Sequence, residues 1–200
     1  MRRLLLLGIV AAALVIIVCL GLMFTQPRGD GSGLARAAQA PAAFVLVDQD
    51  GRTVQEKDLL SKPTVIFFGY TFCPDACPTT LARLTVLMKA LGPEANRLNV
   101  AFITIDPARD TPHQMKQYLS AFDPRIVGLT GSDAAVAKAA KEYGVYYQKA
   151  PLPGGGYSMD HSTALYLVDR KRGFSQILAP DQPQDEQLDA LKKLLGVQRA

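Results

Sequence analysis

Thr64-Val65-Ile66-Phe67-Phe68-Gly69-Tyr70-Thr71-Phe72-Cys73-Pro74-Asp75-Ala76-Cys77-Pro78 is the stretch whose reading decides the fold. It opens on a nearly continuous apolar run, rich in β-branched and aromatic residues, as a strand covered on both faces requires. A residue before proline is pushed out of the α region, whereas proline itself is tolerated at the first helical position. The sequence therefore predicts Cys77 as an N-cap, Pro78 as the first helical residue, and both cysteines on a turn between strand and helix. Leu81, Leu84, Leu87, Met88 and Leu91 then recur at spacings of three and four, an amphipathic helix stopped by Gly92-Pro93.

Working outward, Phe44–Val47, the Asp50-Gly51 turn and a strand near Arg52–Val54 read as an N-terminal β-hairpin. Val100–Ile105 is a second buried strand, followed by a turn-rich stretch and a helix from His113 to about Ala121. Ile126–Leu129 is a short strand. Ser132-Asp133 caps a helix running to Tyr143, ended by Gly144. Val145–Gln148 and Thr163–Asp169 read as strands flanking a Pro/Gly-rich loop at Pro151–Gly156. A tight turn at Arg172-Gly173 leads to Phe174–Leu178, and a last helix covers Gln184–Leu195. Strands alternating with helices, closed by a hairpin and a helix, predict an α/β sandwich around a mixed central sheet.

No charged residue interrupts Leu4–Phe24, and Arg2 and Arg3 precede it. At 1.5 Å per residue the run spans a bilayer core of roughly 30 Å. The positive-inside rule keeps the N-terminus cytoplasmic and exports everything after Gln26. The expected division is an N-terminal membrane anchor over 1–26, a flexible linker over 27–41 and a single domain over 42–198. A cleaved signal peptide is the competing reading. Ala38-Gln39-Ala40 has the small-x-small form, but it lies well beyond the run, and the run exceeds the usual ~7–15-residue core. Cys19 follows the bulky Val18 and reads as a buried apolar residue rather than a lipidation site. With no Arg- and Ser-rich leader, a bacterial inner membrane with the C-terminal domain in the periplasm is the expected location.

Of 22 basic residues Arg2 and Arg3 precede the anchor, leaving 20 against 18 acidic, which is no electrostatic footprint for nucleic acid. Only Cys73 and Cys77 belong to the exported domain. A domain of about 155 residues can bury an adequate core without staples, so these cysteines form a functional pair more readily than a disulfide framework. A permanent disulfide or two inert buried thiols is the bland alternative. Helix N–H groups and the positive dipole end favour thiolate, the form that binds metal or attacks a disulfide. Three intervening residues also allow the Cα separation of about 4.4–6.8 Å that a disulfide needs.

The chain has two histidines, His113 and His161. His113 opens a helix and reads as a solvent-facing residue. His161 follows a Gly-rich loop that could bring it over the cysteine turn. Two thiolates and an imidazole suit Cu(I) and can hold Cu(II); zinc with a water in the fourth position is also open. Met159 is an extra soft ligand or, more simply, apolar packing. Asp106 and Asp160 are candidates to orient His161 or tune the thiols, although aspartates at strand ends are ordinarily turn residues.

Gly69-Tyr70-Thr71-Phe72-Cys73-Pro74-Asp75-Ala76-Cys77-Pro78-Thr79-Thr80, Ile105-Asp106-Pro107-Ala108-Arg109-Asp110-Thr111-Pro112 and Asp160-His161-Ser162 together resemble the Sco/SenC family of membrane-anchored, thioredoxin-like proteins that assemble cytochrome c oxidase. Motifs and spacing cover residues 41–197, with Ala76 where Val is often found. The resemblance implies a thioredoxin-like fold carrying copper on Cys73, Cys77 and His161. It further implies delivery to the CuA centre of cytochrome c oxidase subunit II, or reduction of that centre's cysteines.

Two function classes follow. One is a copper metallochaperone without turnover. The other is an enzyme, a thiol–disulfide oxidoreductase using Cys73 and Cys77 as a redox pair on CuA cysteines or in redox signalling. Thioredoxin-type catalysts use Cys-x-x-Cys, which speaks against the second. A thiol peroxidase would need only one of the two cysteines. In an oxidising compartment the pair needs an exported thiol reductase, and the metal needs an upstream copper donor.

Overall fold

The computed structural model of the protein describes residues 44–169, 171 and 174–197. The expectations for the Leu4–Phe24 run, Cys19, Ala38-Gln39-Ala40, the 27–41 linker and the Arg172-Gly173 turn fall outside the described residues. Among those described, no helix is long and apolar enough to cross a membrane.

Strand β3 (Thr64–Gly69) is buried along its whole length and pairs in parallel with β4 (Asn99–Thr104), which pairs in parallel with β5 (Ile126–Thr130). These are the continuous apolar runs of the sequence, and their burial on both faces explains that composition. The N-terminal hairpin β1 (Val45–Asp48) and β2 (Thr53–Gln55) extends the sheet on one side, and β8 (Leu165–Asp169) and β9 (Phe174–Leu178) extend it on the other. The order is β2-β1-β5-β4-β3-β8-β9, a mixed seven-stranded sheet. A single helical turn, Glu56–Leu59, joins the hairpin to β3.

Successive strand residues face opposite sides, so Phe67 and Phe68 report on the two layers. Phe67 stacks on its register partner Phe102 at 5.7 Å, and Phe102 meets Tyr118 of helix α2 (Pro112–Leu119) at 5.9 Å. Phe68 packs on the other side against Tyr143 and Tyr166, at 5.7 and 5.9 Å. Tyr143 caps helix α3 (Asp133–Glu142), whose N-cap Ser132 accepts the Ala135 N–H at 3.2 Å. Helix α1 (Ala76–Leu91) buries Leu81, Leu84, Leu87, Met88 and Leu91, and helix α4 (Gln184–Leu195) buries Ala190, Leu191, Leu194 and Leu195. Gly128 lets α2 lie close against the sheet: a Cβ there would lie 2.6 Å from Leu119 Cδ1.

Two expectations need correction. Helix α1 begins at Ala76 with Asp75 as its N-cap, so Cys77 lies inside the first turn rather than capping it. The first helical N–H groups have no intrahelical acceptor, so Pro78 at the third helical position removes no hydrogen bond, and the Thr79 N–H already reaches Asp75 O at 3.1 Å. The other correction is in the stretch read as a strand and a loop. Strand β6 runs over Tyr147–Pro151, and Tyr157–His161 is a further strand, β7. The two form an antiparallel sheet of their own, with Tyr147 opposite His161. Gly154, Gly155 and Gly156 turn the chain between them, all at positive φ (93, 102 and 78°), where side chains are strained.

Candidate metal centre

Strand β3 delivers the chain to the site, and its last residue makes room there. A Cβ on Gly69 would lie 2.7 Å from Cys77 Sγ and 2.7 Å from a Phe102 ring carbon, so only glycine lets the sulfur rest on the strand end. Beyond it the Cys73 N–H turns back to Tyr70 O at 3.3 Å, which folds the loop so that Cys73 faces the start of α1. The Cys77 N–H, one of the unpaired donors of the helix N-terminus, points at Cys73 Sγ at 3.4 Å. Both thiols are free; Cys73 is half-buried and Cys77 fully buried.

His161, the last residue of β7, brings its Nε2 to 3.8 Å from Cys77 Sγ. Its Nδ1 lies 2.8 Å from the Ser162 carbonyl oxygen. A carbonyl only accepts, so Nδ1 carries the proton and Nε2 offers its lone pair toward the sulfurs. Tyr70 meets the imidazole edge-on at 5.8 Å and 82°.

The two sulfurs and a His161 nitrogen all lie within 4.8 Å of one another. Bonds of about 2.0–2.3 Å to one ion put ligand atoms roughly 3.5–4.5 Å apart. The triangle is therefore close to closing on a single ion, and its soft donor set fits a thiophilic metal.

The two thiols do not titrate alike. Cys73 is lowered to about 5, first because the Cys77 thiol donates to its thiolate, then by backbone N–H groups of Cys77 and Asp75, against burial. Cys77 moves the opposite way: it keeps the proton shared with Cys73, and burial disfavours its charged form. The resting pair is thus one half-buried thiolate and one buried thiol.

Sequence reasoning singled out other residues that lie elsewhere. Asp106 is buried, but its carboxylate pairs with Arg109 and accepts from the Tyr157 hydroxyl at 2.9 Å, not from His161 or a thiol. Asp160 points to solvent on β7, where alternation turns it away from His161, and the Ser162 carbonyl orients the imidazole instead. His113 is exposed at the start of α2, and Met159 is buried in the core.

Asp110, in contrast, is fully buried beneath the cysteine turn. It accepts from the Thr71 N–H (3.0 Å), the Thr71 hydroxyl (2.6 Å) and the Thr104 hydroxyl (2.6 Å). Burial raises its carboxyl despite these three donors, and its charge helps hold Cys77 protonated. Gly69 carried a readable signal, a lone glycine inside a strand pattern. Asp110 carried none beyond its place in a turn-rich motif stretch, where nothing set it apart from Asp106.

A mixed-sheet α/β fold with two cysteines at a strand–helix junction and a facing histidine defines a thioredoxin-like protein with a Cys-Cys-His centre. The SCO1/SenC family profile matches residues 33–196, and the chain belongs to that family. It is 35% identical over 147 residues to Protein SenC of Rhodobacter capsulatus, covering 74% of this chain and 65% of that protein. To Protein SCO1 of Saccharomyces cerevisiae it is 43% identical over 138 residues, 68% of this chain and 47% of the yeast protein. The matched stretch thus spans about half to two thirds of these relatives. Among solved structures, Bradyrhizobium japonicum ScoI with copper bound superposes with a TM-score of 0.71 at 44% identity, over 77% of this chain and 98% of that one.

Proposed function

We propose that this protein is a membrane-anchored copper metallochaperone. It takes copper on Cys73, Cys77 and His161 and surrenders it to the CuA centre of cytochrome c oxidase subunit II during assembly. The observation that carries this reading is the convergence of two sulfurs and one lone-pair nitrogen, drawn from segments 84 residues apart, within 4.8 Å. Likeness to a ScoI structure with copper bound supports copper as the cargo. In this reading the Leu4–Phe24 run anchors the chain in a bacterial inner membrane and the domain works in the periplasm. An upstream donor loads it, and an exported thiol reductase keeps the pair as thiols, since a disulfide cannot bind as two thiolates.

Copper titration of the reduced exported domain tests this. One copper per chain is expected, and His161→Ala should weaken binding by more than the 10–100-fold typical of losing a mere supporting group. Unchanged affinity in His161→Ala would refute the three-ligand centre.

One observation favours a second reading, thiol–disulfide exchange on the CuA cysteines. A thiolate on half-buried Cys73 beside a protonated, buried Cys77 is the arrangement of an attacking and a resolving sulfur. Rapid exchange with a peptide disulfide, indifferent to His161→Ala, would favour it.

A further inference from the structure

We propose that Arg109 is a positioning residue that fastens the β6–β7 hairpin over the cysteine turn and thereby sets the distance from His161 to the sulfurs. The inference rests on the metal-centre reading and extends it to a residue outside the ligand set.

The need for such a residue follows from topology. Strands β6 and β7 form a separate two-stranded sheet, so among the described residues no main-chain ladder ties the element bearing His161 to the sheet that positions Cys73 and Cys77. A lone hairpin is marginally stable in water, and side chains must hold it in place.

Arg109 supplies contacts of that kind between the cysteine turn and β7. Its guanidinium carbon lies 5.6 Å from the Tyr70 ring centroid and 4.9 Å from that of Phe72, both on the cysteine turn. It lies 3.8 Å from the ring of Tyr157, the first residue of β7. Its Nη1 donates to the Tyr157 carbonyl at 2.9 Å. Its Nε pairs with Asp106, whose other carboxylate oxygen accepts from the Tyr157 hydroxyl at 2.9 Å. Tyr157 is therefore gripped at its ring, its carbonyl and its hydroxyl.

The remaining nitrogen, Nη2, is buried with no hydrogen-bond acceptor among the described residues. The aromatic faces around the guanidinium supply the compensating attraction for its charge. Tyr70, one of those rings, is the same residue whose ring abuts His161. A planar cation with a fixed fork suits this position, whereas a lysine ammonium can pair with Asp106 but cannot stack and donate to Tyr157 together.

A double-mutant cycle tests the assignment, with copper affinity measured by chelator competition on the reduced domain for wild type, Arg109→Ala, His161→Ala and the double variant. If Arg109 acts through His161, Arg109→Ala weakens binding by about 10–100-fold in the wild type and adds nothing once His161 is gone. Arg109→Lys should recover only part of the loss. An equal loss in both backgrounds, or none, overturns the proposal. An unaffected His161→Ala would instead refute the metal centre itself.

Amide hydrogen exchange on the metal-free protein gives an independent readout. Arg109→Ala should accelerate exchange in β6 and β7 while leaving β3 and β4 at wild-type rates. Uniform acceleration across the sheet would make Arg109 a general stabiliser and sink the proposal.

Discussion

Cys73 and Cys77 follow a strand buried along all six residues and laddered on both sides, by β4 and β8, whereas His161 ends a hairpin that forms its own sheet and buries few of its side chains. The sulfurs inherit the rigidity of the core: Gly69 seats one of them, and Asp110 pins the turn from below. The imidazole depends on its Ser162 hydrogen bond, the Tyr70 ring and the Arg109 contacts. Local opening costs least where few apolar contacts are buried. For the copper delivery proposed above, this would pair two candidate ligands held by the core with one on a hairpin that buries little.

The contrast can be broken first on its rigid side. Cys77→Ala should abolish stoichiometric copper binding, a loss exceeding about 100-fold, while circular dichroism shows the fold retained. Asp110→Ala leaves the buried Thr71 N–H and Thr104 hydroxyl without their acceptor. At roughly 1–3 kcal/mol for each stranded donor, urea denaturation should register a loss of about 2–6 kcal/mol. Gly69→Ala forces a methyl against Cys77 Sγ and Phe102, and a cost of about 1–3 kcal/mol is expected, with weaker copper binding alongside.

A smaller effect sharpens the difference between the two sulfurs. Only the thiolate is alkylated, so with Cys73 lowered to about 5 its rate should stay flat from pH 8 to 6 and fall as pH drops through about 5. An ordinary thiol would lose about tenfold per pH unit across the whole of that range. Cys77, buried and protonated, should remain unmodified at neutral pH. Iodoacetamide rates with peptide mapping measure both.

The same contrast governs what could be read from residues alone. The central strands announce themselves because burial on both faces requires unbroken apolar runs, and α4 fell where Gln184–Leu195 predicted. The hairpin carrying His161 gave no such signal. Tyr-Ser-Met-Asp-His is half polar, its partner Tyr147–Pro151 is largely exposed, and a strand without a core behind it needs no hydrophobic alternation. The candidate ligands Cys73, Cys77 and His161, which the structure brings together, were legible through residue chemistry and family resemblance. Their supports were not. Asp106 and Asp160 were singled out for standing beside motif residues, yet Asp106 serves Arg109 and Tyr157, while the carboxylate beneath the cysteine turn is Asp110. Which of two buried aspartates four residues apart supports the cysteine turn is decided by Thr71 and Thr104, which donate to Asp110, and sequence neighbours cannot reveal that.

X-ray absorption at the copper edge of the loaded domain tests the central claim most directly. Two sulfurs and one imidazole nitrogen should make up the inner shell, with the nitrogen signal lost in His161→Ala. A wild-type spectrum without that nitrogen, or one unchanged by the substitution, would contradict the account.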